Sequence, residues 1–271
     1  SFSMLAGAVV KPVTTRIEDG FALPPVEEIE KLIGPKTKAL LICNPNNPTG
    51  YLYSPEEMEK IRQLTMRNDI FLIADEVYSD FNFSGREYVS AMHLKGIEQN
   101  VVMVDSMSKR YSECGIRIGA IVTKNERLRQ IVMKFCQARL SPPLLGQIVA
   151  EASIEGTEDY AREVFEEYRE RRDFFIKGLN AIPGVYSPQP QGAFYTIASL
   201  PVEDAEDFCK WCLTDFCYRD DEDPGTDAQG RPYTGETVMM APAAGFYSTP
   251  GMGRNQARLA YVLKTDDLAR A

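Results

Sequence analysis

Histidine and tryptophan are nearly absent from this chain, each occurring once among 271 residues. A histidine base would have to be His93, which lies in the loop-like stretch AMHLKG and reads as structural or exposed. Acid–base chemistry therefore falls to another residue type. No apolar run approaches the roughly 20 residues that a membrane-spanning helix requires, and no signal peptide opens the chain, so no membrane partner is expected. Basic residues are in the minority, 30 against 39 acidic ones, for a formal charge of −9. Such a field repels phosphate backbones and argues against nucleic acid as a partner.

Cysteine is scarce and unpatterned. The six, at 43, 114, 136, 209, 212 and 217, form no small-domain disulfide framework and point to a reducing compartment, the cytoplasm. Cys209 and Cys212 make a CxxC, but no second pair or histidine follows at zinc spacing, so they read as helix packing and no metal is expected. The acidic stretch DDEDPGTDAQG (220–230) fails the EF-hand template, because its glycine and final glutamate miss the required offsets. It reads as an exposed loop.

What is present is a succession of apolar runs: ALLIC (39–43), IFLIA (70–74) ending at Asp75, VVMV (101–104) and IGAIV (118–122). Between the first two lies SPEEMEKIRQLTMRN (54–68), with Ser54 as N-cap, Pro55 at the first helical position and Glu57 closing a capping box. Apolar runs separated by helix-length segments predict an α/β unit with a parallel sheet covered on both faces. Such sheets bind ligands beyond the carboxyl ends of their strands, where Asn47, Asp75, Tyr78 and Lys109 fall. Residues 157–180 predict one long charged helix leading to a second domain, its charges a solvated face. After turns and a strand in IPGVYSPQPQGAFY, residues 204–217 look helical, and TVMMAPA and QARLAYVL alternate as strands do. The expected division is a large domain over 1–165 and a small α+β domain over 166–271.

The stretch SMSKRYSECGIRIG (106–119) puts a lysine between serines at the end of an apolar strand. An aldehyde cofactor with a ring nitrogen and a phosphate needs a reactive lysine amine, a carboxylate at the ring nitrogen and donors at its phenolic oxygen. It also needs hydroxyls and a guanidinium for the phosphate, and its substrate carboxylate needs an arginine fork. The chain offers Lys109, Asp75, Asn47 with Tyr78, Ser106 with Arg117, and Arg258. Singly these have plain explanations: NPTG is a good turn, Asp75 a cap, Arg117 and Arg258 surface arginines.

Together, NPNNPTG, ADEVYSDF, SMSK followed by GIRIG, PQGAFY and RLAY occur in an order that resembles the class I/II aminotransferases, fold-type I pyridoxal 5′-phosphate (PLP) enzymes. The resemblance implies their fold, a mainly parallel large domain with a smaller α+β C-terminal domain. It implies that Lys109 holds the cofactor as a Schiff base and shuttles the proton, with Asp75 at the pyridinium nitrogen. Asn47 and Tyr78 would meet the phenolic oxygen, and Ser106, Arg117 and, more weakly, Ser108 the phosphate. Arg258, with Asn47, would bind the substrate. The implied reaction is amino transfer from an amino acid, aspartate first, to a 2-oxo acid, 2-oxoglutarate first, through a pyridoxamine form. A PLP-dependent lyase on the same fold and a non-catalytic regulatory relative are the alternatives. A homodimer is implied, with Gln137 and Arg139 near the cofactor mouth and Arg139 a candidate for the partner's phosphate or a side-chain carboxylate. Both chain ends read as cut, and the glycine- and serine-rich phosphate loop and stacking aromatic of the family are not in this chain. Glu113 sets a negative charge close to the expected phosphate site.

Overall fold

The apolar runs pair side by side. The structure, a computed structural model, describes residues 2–155, 158–216 and 236–270. After two short helices, α1 (Phe2–Leu5) and α2 (Val26–Glu30), come β1 (Ala39–Cys43), α3 (Pro55–Asn68), β2 (Phe71–Asp75), β3 (Val101–Ser106), α4 (Met107–Arg110) and β4 (Gly119–Val122). The four strands form one sheet in the order β1-β2-β3-β4. β1 to β2 and β2 to β3 are parallel, with Cys43 opposite Asp75 and Asp75 opposite Val104.

The fourth run departs from the parallel pattern: β4 is antiparallel to β3, with Ser106 opposite Gly119. Residues 107–118 join them and hold only the four-residue α4 and a 3-10 turn at Cys114–Ile116, with no helix to carry the chain across the sheet to a parallel neighbour. Nor is β4 covered on both faces, since all four of its residues are exposed.

The sheet core is made by α3. Met58, Ile61 and Leu64 recur at helical spacing, and the first two pack with Ile42, Leu72, Ala74 and Val101. The predicted capping box forms. Ser54 Oγ accepts from the Glu57 N–H at 3.2 Å, and Glu57 Oε2 accepts from the Ser54 N–H at 2.7 Å. The other oxygen of Glu57 accepts from the Leu23 N–H at 3.0 Å and the Tyr51 hydroxyl at 2.7 Å, so one side chain fixes three segments.

Next come α5 (Glu126–Arg139), α6 (Leu144–Glu155) and α7 (Glu158–Ala181). On α5 and α6, Ile131, Phe135, Leu144, Leu145 and Ile148 are exposed. The chain divides into two units. One is Ser1–Arg169 with Pro190–Phe194, and the other is Glu170–Gln189 with Tyr195–Ala271. The division thus falls within α7, and residues 190–194 belong to the first unit.

The second unit contains β5 (Tyr195–Ser199), α8 (Ala205–Thr214), β6 (Ala241–Pro242), β7 (Gln256–Ala260) and α9 (Thr265–Arg270), with an antiparallel sheet in the order β5-β7-β6. Of the predicted strand TVMMAPA, only Ala241 and Pro242 pair, and a proline has no N–H to extend a ladder. Cys209 and Cys212 are buried on α8, and burial pushes both thiols up. The five described cysteines are all free. Residues 220–230 and Cys217 lie outside the described residues. Among the described residues no helix is long and apolar enough to cross a membrane, and no cluster of three or more His, Cys, Asp or Glu is placed to hold a metal.

Ser54→Ala is expected to cost about 1 kcal/mol, as loss of an N-cap does. Glu57→Ala should cost more, because it strips the acceptor from Leu23 and Tyr51 as well as from Ser54. Urea denaturation checks the ranking; equal losses would mean that the Leu23 and Tyr51 bonds contribute nothing.

Candidate active site

The loop after β1, residues 44–50, is folded by its own asparagines. Asn46 Oδ1 accepts from the Thr49 N–H at 3.2 Å and hydroxyl at 2.8 Å, and the Asn44–Pro45 and Asn47–Pro48 bonds are cis. This turn aims Asn47 across to the buried Tyr78, with Nδ2 donating to the hydroxyl oxygen at 3.3 Å.

Segment 190–194 docks on the loop through its backbone. The N–H groups of Gln191 and Gly192 both donate to the Gly50 carbonyl at 2.9 Å, and the Ala193 N–H donates to Phe81 O at 3.0 Å. The approach is possible because residue 192 is glycine: a Cβ there would lie 2.6 Å from Pro45 Cβ and 2.8 Å from Phe81 O. Docking delivers Phe194 to a cluster of rings, its centroid 5.3 Å from Tyr78, 5.2 Å from Phe81 and 5.3 Å from Tyr168. Lys109 Nζ sits 5.8 Å from the centre of the Phe194 ring. Phe194 was not singled out from the sequence, although the motif PQGAFY contains it.

Asp75 ends β2 and lies beside the end of β3, which carries the lysine turn. Its Oδ1 accepts from the Val77 N–H at 3.3 Å. Burial, and secondarily the neighbouring Asp105, push this carboxyl above the usual aspartate range against the lowering effect of that N–H. Among the described residues neither Asp75 nor Lys109 forms an ion pair, although charged groups taken out of water are ordinarily paired. A partly buried carboxylate in that condition suits a protonated ring nitrogen, so the residues present fit PLP at this point. Cys43, across from Asp75, shares the environment: burial and the Asp75 charge push its thiol up to about 12.

Ser106 caps the short α4, accepting from the Ser108 N–H at 3.1 Å, and the two hydroxyls lie 2.9 Å apart. Arg117 is exposed, in a left-handed conformation (φ 60°), and its Nη1 donates to the Cys114 carbonyl at 2.8 Å. Ser106 thus ends β3, and Ser108 and Arg117 lie on the stretch that links it to β4. A residue not singled out, Arg110, ties this stretch down. Its guanidinium pairs with Asp80 at 3.1 Å and Asp105 at 3.0 Å and donates to Ser79 Oγ at 3.2 Å.

Glu113 faces α6, where its Oε1 accepts from Ser153 Oγ at 2.5 Å. His93 is exposed at the end of a 3-10 turn, and Gln137 and Arg139 are exposed on the last turn of α5. Arg258 lies in β7 of the second unit, its guanidinium 4.9 Å from the Tyr195 ring centre and 5.1 Å from that of Phe246.

The chain belongs to the aminotransferase class I and II family, whose model matches residues 3–231. It is 31% identical over 195 residues to the aspartate/prephenate aminotransferase of Thermus thermophilus, covering 71% of this chain and 49% of that protein. It is 29% identical over 221 residues to the aspartate aminotransferase of Rhizobium meliloti, covering 76% and 54%. Among solved structures, the aspartate aminotransferase of Thermus thermophilus with maleate superposes with a TM-score of 0.81 at 26% identity, covering 98% of this chain and 63% of that one. The aromatic aminotransferase of Pyrococcus horikoshii gives a TM-score of 0.81 at 25% identity, covering 98% and 65%. The chain spans about half the length of the curated relatives it matches. The fold is that of the fold-type I enzymes, as the motifs implied.

A raised pKa in the folded state means that the folded protein binds the Asp75 proton more tightly than the unfolded chain does. Stability therefore falls as pH rises from the ordinary aspartate value through the folded one. Asp75→Asn removes this loss, so the cofactor-free variant should be more stable than wild type at neutral pH, with the gap closing in acid. Thermal denaturation at both pH values measures it; a gap independent of pH would contradict the assignment.

Proposed function

We propose that the protein containing this chain transfers an amino group between an amino acid and a 2-oxo acid, with PLP as cofactor. The observation that supports this most is that the Asp75 carboxyl, raised by burial, ends a strand paired with the one that leads into the Lys109 turn, where the amine has no carboxylate partner among the described residues. Bound there, PLP supplies an aldehyde that condenses with amines and a protonated ring that draws electrons from the substrate Cα.

The chain's own residues do the rest. Asp75 accepts from the ring nitrogen and keeps its proton in place. Asn47 and Tyr78, already joined at 3.3 Å, present donors to the phenolic oxygen. Ser106, with Ser108, and the Arg117 guanidinium hold the phosphate, the charge-assisted contact being the stronger. Lys109 anchors the cofactor, then serves as the base that takes the proton from the substrate Cα and returns it at cofactor C4′. Phe194 limits water around that amine. Arg258 is assigned the substrate α-carboxylate, its guanidinium flanked by the rings of Tyr195 and Phe246.

Aspartate with 2-oxoglutarate is the preferred pair, on the similarity to relatives named aspartate/prephenate and aspartate aminotransferase. An aromatic amino acid is the next choice, since the Pyrococcus enzyme superposes equally well. We further infer a homodimer, supported by exposed Phe135, Leu144, Leu145 and Ile148, whose solvation is unfavourable. A cytoplasmic location fits the free thiols.

The test is to add PLP to the full-length protein, reduce with borohydride and find the tagged lysine by peptide mass. L-aspartate is then added to unreduced enzyme and release of its 2-oxo acid followed. A tag on Lys109, absent from Lys109→Ala, with 2-oxo acid release is the expected result. A tag without release moves the substrate to another amino acid or the reaction to elimination or decarboxylation. A tag on another lysine overturns the assignment.

A further inference from the structure

Lys109 and Cys114 put two nucleophiles in contact within one short turn. The amine donates to Cys114 Sγ at 3.6 Å, and the thiol donates to the Ser108 carbonyl at 3.1 Å. Cys114 is exposed and opens the 3-10 turn Cys114–Ile116. Helix α6 backs that turn: Gly146 lies so close that a Cβ there would stand 2.6 Å from the Ile116 carbonyl oxygen. The turn has no room to move toward the helix, and the sulfur meets the amine at 3.6 Å only through its own hydrogen bond. An exposed thiol is open to small oxidants, and a sulfenic acid condenses with a nitrogen held against it.

We propose that Cys114 and Lys109 form an oxidant-driven, reversible sulfenamide cross-link that removes the amine from service. Hydrogen peroxide oxidises the thiol to a sulfenic acid and is itself reduced to water. The unprotonated Lys109 amine then attacks sulfur. The S–N bond forms, the S–O bond breaks, and the hydroxyl leaves as water with a proton from nitrogen. The linked pair is two hydrogens lighter than the free one. A dithiol reductant reverses the step by attacking sulfur, restoring the amine and then the thiol. The movement required is within reach of lysine's flexible four-carbon stem. The cross-link needs only these two side chains. Its consequence, a reversible loss of cofactor attachment, rests on the role given to Lys109 above.

The experiment is to treat the cofactor-free protein with hydrogen peroxide, digest with trypsin and weigh the peptides. Cleavage after Arg110 and Arg117 parts the two residues, so the linkage joins Gly96–Arg110, uncut at Lys109, to Tyr111–Arg117. The expected species is two hydrogens lighter than the sum of its peptides, is released by dithiothreitol and is absent from Cys114→Ala. Cys114 recovered as a sulfinic acid or unmodified, with Lys109 free, overturns the proposal. PLP attachment is read in parallel. Attachment that is lost with peroxide and regained with reductant supports the consequence. Linkage in a protein that never took up PLP keeps the cross-link and sinks the cofactor reading instead.

Discussion

The parallel pairing of β1, β2 and β3 is the constraint on which the rest depends. Because the three strands run the same way, their carboxyl ends lie at one edge of the sheet, with Cys43, Asp75 and Val104 in register. From that edge hang the asparagine–proline loop after β1, Asp75 and the Tyr78 turn after β2, and the lysine turn after β3. The register is held from beneath by α3, whose Met58 and Ile61 close the core against Leu72 and Ala74. A slip of one residue would turn Asp75 to the other face of the sheet.

The edge is electrostatically unfinished in a way that suits a ligand. Burial holds Asp75 up, and the negative charge of Asp105 adds to the effect. Asp105 is itself balanced by Arg110, which also reaches Asp80. One arginine thus neutralises Asp80 and Asp105, while among the described residues Asp75 is given no cation. Function and stability pull apart at such a residue. The ring cluster of Tyr78, Phe81, Tyr168 and Phe194 supplies an apolar wall for the first unit, and Phe194 places its ring beside the Lys109 amine.

What could be read from the sequence was local. The capping box at Ser54 and Glu57, the three parallel strands and the placement of Asn47, Asp75, Tyr78 and Lys109 at their ends each depend on residues close together in the chain. The direction of β4 was less legible, because the alternation of apolar residues is the same in either direction and only the short connection decides. The shortness of β6 was hidden for a similar reason, since Met239 and Met240 look like strand residues, yet the ladder with β7 begins only at Ala241. Phe194 and Arg110 were missed because their partners are distant: Tyr78 and Lys109 for the ring, Asp80 for the guanidinium. Glu113, which the motif sets near the phosphate turn, finds Ser153 on α6, a partner forty positions away.

The central claim, that Asp75 exists to hold a proton on a ring nitrogen, is tested most directly by binding PLP labelled with nitrogen-15 in the ring and recording its NMR signal at neutral pH. The account predicts a protonated nitrogen, with a resolved one-bond N–H coupling, in the wild-type protein and an unprotonated one in Asp75→Asn. An unprotonated nitrogen in the wild type, or the same signal in both, would contradict it.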